Sequence, residues 1–483
     1  MHFARNTKKL GDILKKLSCH TLIIGAGSAG LEAYRAASNT GVSCILVESG
    51  PLGTTSQRTG DVPASLLMAA AKGVSISKNL DKFGVQALGE QSFDTSDVMN
   101  SLRALRARGT TEILSIIYKI PERNRVIGCA RFIDTKTVEI IDKDIEITFD
   151  TAVIATGSTP AIPFEIGKLG DILTTSELFD LDSIPKSIAV FGSGAEALQL
   201  GQALSYLGSD VTVFSKSNFW HFTDESVIQV ATDEISSKVK IAFNSLITAI
   251  DREDGYYGLY YIDDSNYENY LRVQKVLSVN MRVAKTQGLN LRNIGVNLDH
   301  KGFISVDNKT MQTSVNNIFA CGNITDEFTS TVDAKYQGFN AGLNAATYPL
   351  VNVVAAPYNI KILDTDPPMA IVGLNLENMK KRSDNGHPFI VSESRTNGGL
   401  YRIKRATNGI IRLYIDERSH KILGSEMCLE GASHIAQFLL LCIKNGMTCD
   451  ELAKYPFYNP TFEQILNDVA LSATKTLSRK KVL

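Results

Sequence analysis

Three glycines, Gly25, Gly27 and Gly30, stand in a G-x-G-x-x-G pattern directly after the apolar run Thr21–Ile24, and an acid, Glu48, closes the next apolar run 18 residues beyond Gly30. These residue types at this spacing suit the holding of a dinucleotide. The first glycine permits a tight turn, the second lets backbone approach a pyrophosphate, and the third lets a helix pack close to the strand. Free N–H groups at the helix N-terminus then face the phosphates, and the acid is placed to accept hydrogen bonds from a ribose. A second pattern, Gly192, Gly194 and Ala197, gives G-x-G-x-x-A, which also opens dinucleotide-binding units. The apolar run after it, DVTVF, ends at Ser215 and Lys216 instead of an acid. An acid there would bind the 2′-hydroxyl of NAD and repel a 2′-phosphate. A serine and a lysine suit the phosphate, so NADPH is expected over NADH. The alternative is a solvated Lys216 beside a site that has lost its ligand.

The elements that must position these residues are legible around them. TLIIGAGSAGLEAYRAASNTGVSCILVES and SIAVFGSGAEALQLGQALSYLGSDVTVFSKS each read as strand, glycine turn, helix with small residues, and second strand. Between them FDTAVIATGSTPAIP reads as a strand ending at Ala155, Thr156 and Gly157, and later TSVNNIFACGNITDE reads as another ending in a glycine turn. From about Pro357 the texture changes to short β-like runs (AIVGLNL, GLYRIKR, GIIRLYID, KILGSEM), then a long apolar helix, HIAQFLLLCIKNGM, and the segment AKYPFYNPTFEQILNDVALS. That order predicts an antiparallel sheet with helices, a separate α+β domain.

Composition removes several function classes. The formal net charge is -1, so no bulk field favours nucleic acid or a membrane surface. No apolar run reaches the roughly 18 residues needed to span a bilayer. Seven cysteines, an odd count without a C-x-x-C pair, argue against a disulfide framework and against a metal site; all seven are expected to be buried thiols in a reducing cytoplasm. The basic start, Met1 to His20, carries Leu10, Ile13, Leu14 and Leu17, a spacing that predicts a short solvated amphipathic helix without the features of a secretory signal.

Taken in order, these motifs resemble the pyridine nucleotide–disulfide oxidoreductases, the family of dihydrolipoamide dehydrogenase, glutathione reductase and mercuric reductase. The resemblance runs over nearly the whole chain. It includes GPLGTT after Glu48, the ATG turn at Ala155–Gly157, TSVNNIFACGN and the closing FYNPTFE. It implies an α/β fold with two Rossmann-like domains, for FAD and NAD(P), and a C-terminal α+β domain that makes a homodimer. The division implied is residues 1–160 and 284–350 for FAD, 161–283 for NAD(P) and 351–483 for dimerisation. The FAD contacts carried over are Gly25, Gly27, Ser28, Ala29, Gly30, Glu48, Ser49, Gly53, Thr54, Thr55, Ala130, Ala155, Thr156, Gly157, Gly322 and Asn323. Those for the nicotinamide cofactor, NADPH or NADH, are Gly192, Gly194, Ala197, Ser215 and Lys216. The family usually has aspartate where Asn323 stands.

The family's chemistry, however, is missing from its positions. Ser56 and Asp61 occupy the places of the C-x-x-x-x-C pair, Ser65 and Gln199 those of a lysine–glutamate pair, and Asn459 and Gln464 those of a histidine–glutamate dyad. An amide has no usable pKa and cannot act as a general base. The expected function is therefore an FAD-containing oxidoreductase that passes hydride from NAD(P)H directly to a non-disulfide acceptor: a quinone, a metal, dioxygen or a small molecule. The alternative is a redox-inactive pseudoenzyme with structural FAD, acting as a dimeric binding protein. Asp61 is the one candidate catalytic residue, as a tuning group or proton donor to the flavin. An anion about 5 Å from an anionic reduced flavin would cost roughly 3 kcal/mol at an effective dielectric of about 20, which lowers a two-electron potential by about 70 mV. The competing reading is a surface Arg58–Asp61 pair one helical turn apart. Asp61→Ala should raise the flavin midpoint potential by tens of millivolts in a dye-coupled redox titration; an unchanged potential and an unchanged rate would assign Asp61 to the surface.

Overall fold

In the computed structural model the run before Gly25 is a ten-residue strand, Lys15–Ile24. The structure describes the whole chain except residues 1–13, 87–92, 142, 163, 168–169, 193, 216–219, 280–281, 327–328, 354–358 and 481–483. The expected N-terminal helix is corrected where it can be seen. Leu17 lies in the strand, and Leu10 and Ile13 fall outside the described residues. Helical spacing loses there to parallel pairing, in register Lys15↔Ile145 and Leu17↔Ile147, with the strand Ile145–Ile154.

The chain divides into two units, the first made of Met1–Gly60, Leu105–Ala161 and Met281–Pro357. Its centre is a seven-stranded sheet. Lys15–Ile24 is flanked by Cys44–Glu48 on one side and Ile145–Ile154 on the other, both parallel to it, and Ile318–Ala320 pairs parallel with the end of the latter. Leu22 and Ile24 pack into one core, Ile23 into the core on the opposite face. Strands buried on both faces need apolar residues at every position, which is why TLII and AVIA carry no polar alternation.

On one face the helices Ser28–Ser38 and Thr331–Thr347 lie against each other. Small residues set their separation. A Cβ at Gly338 would lie 2.2 Å from the Ala29 carbonyl oxygen, and one at Gly342 equally close to that of Ala33. The first helix is thereby held against the second, and both pack on the same face of the sheet, where the Thr151 hydroxyl donates to the Ala345 carbonyl at 3.0 Å.

The second unit comprises Asp61–Ala104, Ile162–Asn280 and Tyr358–Leu483. A four-stranded parallel sheet runs in the order Lys240–Phe243, Asp210–Ser215, Ser187–Phe191, Lys275–Ser278. A three-stranded antiparallel sheet, Leu246–Glu253, Tyr256–Ile262 and Glu268–Val273, follows in sequence. A five-stranded antiparallel sheet lies beyond, packed by the helices Ala432–Lys444 and Ile465–Lys480. Three of the four β-like runs expected there are strands, Met369–Gly373, Ile410–Asp416 and Ile422–Cys428. GLYRIKR is instead a short helix, Gly399–Ile403, with Tyr401 buried and its hydroxyl donating to the Phe462 carbonyl at 3.1 Å.

Buried charge joins the parts of this unit. Glu426 is fully buried on the strand Ile422–Cys428. Its carboxylate accepts from Thr223 N at 2.8 Å, Thr223 Oγ1 at 2.7 Å, Asp224 N at 3.1 Å and Leu376 N at 2.9 Å. Asp224, also buried, caps the helix Glu225–Ser236 and accepts from Arg412 Nε at 2.9 Å and the Tyr414 hydroxyl at 3.1 Å. Arg412 in turn donates to Glu393 at 2.7 Å.

The helix contact at Gly338 generates a direct test. Gly338→Ala should force the two helices apart and destabilise the protein by about 1–3 kcal/mol, the range for an overpacked core. The readout is the urea midpoint. An unchanged midpoint would mean that the helices separate without cost.

Candidate functional site

The first glycine pattern has the geometry its spacing predicts. Gly25 adopts φ +110° and its N–H donates to the Val47 carbonyl at 2.8 Å. A Cβ there would lie 2.3 Å from the Ala155 carbonyl oxygen, so no larger residue fits the turn. A Cβ at Gly30 would lie 1.8 Å from the Gly25 carbonyl oxygen, so the helix reaches the strand only because Gly30 has none. At Gly27, which caps the helix N-terminus, a Cβ would meet nothing within 4 Å. Ser28 opens the helix and Ala29 is buried beneath it. The turn is closed where backbone packs on backbone and open where a phosphate would stand.

Glu48 ties this loop to the next. One carboxylate oxygen accepts from Ala26 N at 2.6 Å and the other from Gly50 N at 2.9 Å. A carboxylate has about four acceptor sites, so two such bonds leave capacity for ribose hydroxyls. Ser49 beside it is exposed. Gly53 turns at φ +89°, with the Thr110 methyl 2.8 Å from where a Cβ would be. Thr54 is buried and its side chain accepts from Gln57 N at 3.3 Å, capping the short helix Thr55–Thr59.

The remaining positions of the first unit come from other strands. Ala155 is buried and its N–H donates to the Ile24 carbonyl at 2.8 Å. The Thr156 hydroxyl donates to the Lys285 carbonyl at 3.0 Å, and Gly157, at φ +69°, faces open space. Ala130 is buried at the start of the strand Ala130–Asp134. Gly322 turns at φ +78° beneath Ala29, and its N–H donates to Gln337 Oε1 at 2.8 Å. Gln337 was not singled out in the sequence; it sits on a helix whose role shows only once that helix is packed. Asn323 Nδ2 donates to the Thr329 carbonyl at 3.1 Å, which leaves its Oδ1 as the acceptor end that an aspartate would have offered.

In the second unit Gly192 is buried and a Cβ there would lie 2.7 Å from both Ala197 Cβ and Val279 Cγ2, whereas Gly194 caps the helix Ala195–Tyr206 and faces open space. Ala197 is fully buried, and Ser215 is buried at the end of its strand. Lys216 lies outside the described residues. The pattern of closed first glycine and open second glycine thus recurs.

The positions that would replace the missing chemistry are placed as follows. Asp61 is exposed at the first residue of the helix Asp61–Lys78, where it complements unpaired N–H groups of the first turn. Gly60 ends the preceding helix at φ −116° and ψ −130°. Arg58 and Asp61 therefore belong to different helices, and the expected helical-turn relation between them is corrected; Arg58 Nη1 donates to the Pro51 carbonyl at 3.3 Å. Ser65 is exposed on the helix that begins at Asp61, and Gln199 is buried on the helix packed against it. Six of the seven cysteines are buried and Cys129 is exposed, which corrects the expectation of seven buried thiols. Burial pushes the Cys19 and Cys321 thiols up to about 12 and that of Cys44 up to about 11.

Residues 19–338 match the family model described as pyridine nucleotide-disulphide oxidoreductase, and residues 361–470 match that family's dimerisation domain. The chain belongs to this family. Members of this family are FAD-dependent and use NAD(P)H. Among similar proteins, a mercuric reductase of Staphylococcus aureus is 26% identical over 468 residues, spanning 95% of this chain and 83% of that protein. A dihydrolipoyl dehydrogenase of Geobacillus stearothermophilus is 28% identical over 469 residues, spanning 95% of this chain and 97% of that one. Among solved structures, the Cu(II) complex of the HOCl-induced flavoprotein disulfide reductase RclA from Escherichia coli superposes with a TM-score of 0.80 at 18% identity, covering 94% of this chain and 99% of that one. That likeness bears on the fold, which is the α/β architecture with a C-terminal dimerisation domain that the motifs predict.

The residues of the first unit fit the family's flavin nucleotide: an open helix N-terminus for the pyrophosphate, a carboxylate at the ribose position and an amide oxygen at Asn323. Glu48→Gln removes the charge and one of the two loop-fixing bonds. Bonds to charged groups are each worth about 1.5–3 kcal/mol, so the FAD dissociation constant of the apoprotein should rise about tenfold to a hundredfold in a fluorescence titration. An unchanged constant would remove Glu48 from the site.

Proposed function

We propose that this protein is an FAD-containing oxidoreductase that passes hydride from NAD(P)H, through the flavin, directly to an acceptor that is not a disulfide. The observation that carries the reading is a contrast within one chain. The turn at Gly25, Gly27 and Gly30 and the loop-binding carboxylate of Glu48 have the geometry that a flavin cradle needs, while Ser56 and Asp61 occupy the family's cysteine positions. FAD bound in this cradle would supply a two-electron carrier able to receive hydride and deliver it to a quinone, a metal ion, dioxygen or another small molecule. The chain's own contribution is to bind and orient. Glu48 holds the glycine loop and the ribose together, the turn at Thr156 and Gly157 keeps backbone clear of the ring system, and Asn323 offers an acceptor oxygen.

The thiols do not substitute for the missing pair. The thiolate is the nucleophile in exchange chemistry, and burial holds Cys19, Cys44 and Cys321 in the protonated form at neutral pH. Cys129 is the one exposed thiol of the seven, and a dithiol relay needs two. Asp61 we read as the tuning or proton-donating group.

The two glycine patterns support a dinucleotide in each unit, FAD at residues 1–160 and 284–350 and the nicotinamide cofactor at 161–283. Ser215 and Lys216 favour NADPH. Residues 351–483 form the dimerisation domain, and we read the protein as a cytoplasmic homodimer; among the described residues no helix is long and apolar enough to cross a membrane.

Gln199 and Ser65, in place of a lysine–glutamate pair, favour the competing reading, a dimeric binding protein with structural FAD. Anaerobic stopped-flow mixing of the purified flavoprotein with NADPH and with NADH separates the two. The expected result is bleaching of the flavin absorbance, faster with NADPH, and reoxidation by at least one member of a panel of quinones, metal ions and dioxygen without added dithiol. A yellow protein that neither nucleotide bleaches would overturn the enzymatic reading in favour of the structural one.

A further inference from the structure

In the C-terminal part of the second unit, a histidine, a cysteine and an aspartate converge that no part of the flavin chemistry uses. His420 ends the turn between the strands Ile410–Asp416 and Ile422–Cys428, and Cys449 and Asp450 open the short helix Cys449–Ala453. One donor atom from each, a ring nitrogen of His420, Sγ of Cys449 and a carboxylate oxygen of Asp450, lie within 4.8 Å of one another. We propose that these three side chains form a binding site for a borderline divalent cation of the zinc class.

The donor set is the first ground. Zinc takes thiolate, imidazole and carboxylate ligands together, at about 2.3 Å for sulfur and about 2.0–2.2 Å for nitrogen and oxygen. A tetrahedral centre then needs donors roughly 3.3–3.6 Å apart. His420 Nδ1 and Asp450 Oδ2 stand at 2.5 Å, so they must open by about 1 Å while the sulfur closes. The Asp450 side chain is 43% exposed and that of His420 16%, which leaves the carboxylate room to move and gives water a path to a fourth position. One thiolate, one carboxylate and a neutral imidazole balance a divalent charge, so a partly buried ion there leaves no net charge uncompensated.

Preorganisation is the second ground. His420 is held at φ +59°, in the left-handed region that few side-chain-bearing residues adopt. Its N–H donates to the Asp416 carbonyl at 2.9 Å, and Asp416 Oδ1 accepts from Ser419 N and Ser419 Oγ, each at 2.8 Å. The two segments are then joined by backbone. Cys449 N donates to the His420 carbonyl at 2.9 Å, Ile422 N donates to the Met447 carbonyl at 3.0 Å, and Lys421 bridges to Thr448. The main chain therefore already brings the two segments together, and Cys449 is fully buried between them and the core, so only side-chain adjustment is left for the ion. The sequence did not show this site because residue 420 and residues 449–450 follow no ligand spacing; only the pairing of these two segments brings them together.

The test uses the full-length flavoprotein, treated with a chelator, desalted and equilibrated with zinc or with cobalt(II). The expected result is retention of one zinc per chain by elemental analysis, and with cobalt a thiolate-to-metal charge-transfer band in the near ultraviolet. Cys449→Ser should abolish the band, Asp450→Asn should weaken zinc binding about tenfold or more, and Cys129→Ser, which removes the exposed thiol, should change neither. No retained zinc and no cobalt band in the unaltered protein would overturn the proposal, as would a band that survives Cys449→Ser. If Cys449→Ser does not fold, Asp450→Asn decides alone, since its side chain is half exposed: unchanged zinc affinity would overturn the site. The cobalt band is read as the difference from the same metal-free protein, which cancels the flavin absorbance, so the flavin reading and this one fail separately.

Discussion

The carbonyl oxygen of Gly25 occupies the space that any side chain at residue 30 would need. That steric exclusion governs the first unit. Because residue 30 has no Cβ, the helix Ser28–Ser38 lies close enough to the sheet for its N-terminus to stand over the end of Lys15–Ile24. Because residues 338 and 342 have none, a second helix lies directly against the first on the same face of the sheet. The open face at Gly27 is what remains after these contacts have been made. Glu48 completes the arrangement electrically, since its carboxylate binds the N–H groups of both loops that border the opening. A dinucleotide bound here would fill a gap left by close packing, with a carboxylate fixed at its edge.

The second unit repeats the packing with a different edge. Gly192 and Ala197 sit in contact while Gly194 faces open space, yet the strand after them ends at the buried Ser215 and not at an acid. The two sites therefore share the backbone solution for phosphate and differ in the group that would meet the ribose. That difference is chemical, not architectural, and it is the reason the family can be recognised throughout while the reaction must be argued from individual side chains.

Much of the first site was legible in the sequence because its constraints are local. Glycine spacing fixes a turn, and the acid at the end of the next strand follows from strand length. What was not legible depended on distant partners. Leu17 and its neighbours have helical spacing, yet pairing with Ile145–Phe149 makes them a strand. GLYRIKR alternates like a strand, yet burial of Tyr401 beside Phe462 makes it a helix. Arg58 and Asp61 are three residues apart, yet the bend at Gly60 places them on separate helices. Gln337 and the His420–Cys449–Asp450 cluster carry no sequence pattern at all. Except at Gly60, where the bend is local, the deciding contact lies far along the chain, where periodicity holds no information.

The buried Glu426 and the Asp224–Arg412 pair also bear on how the second unit comes apart. Glu426 and Arg412 belong to the five-stranded sheet, whereas Thr223 and Asp224 lead into a helix that follows the parallel sheet of the nucleotide fold. Separating them would leave these buried polar groups without partners, and removing one partner of a buried pair costs about 3–5 kcal/mol. The portion that carries the parallel sheet and the C-terminal portion are thus tied together by side-chain bonds within one compact unit. Local opening of one exposes the charges of the other, so their slowest amides should exchange with solvent together, as one block, despite belonging to two sequence families of structure.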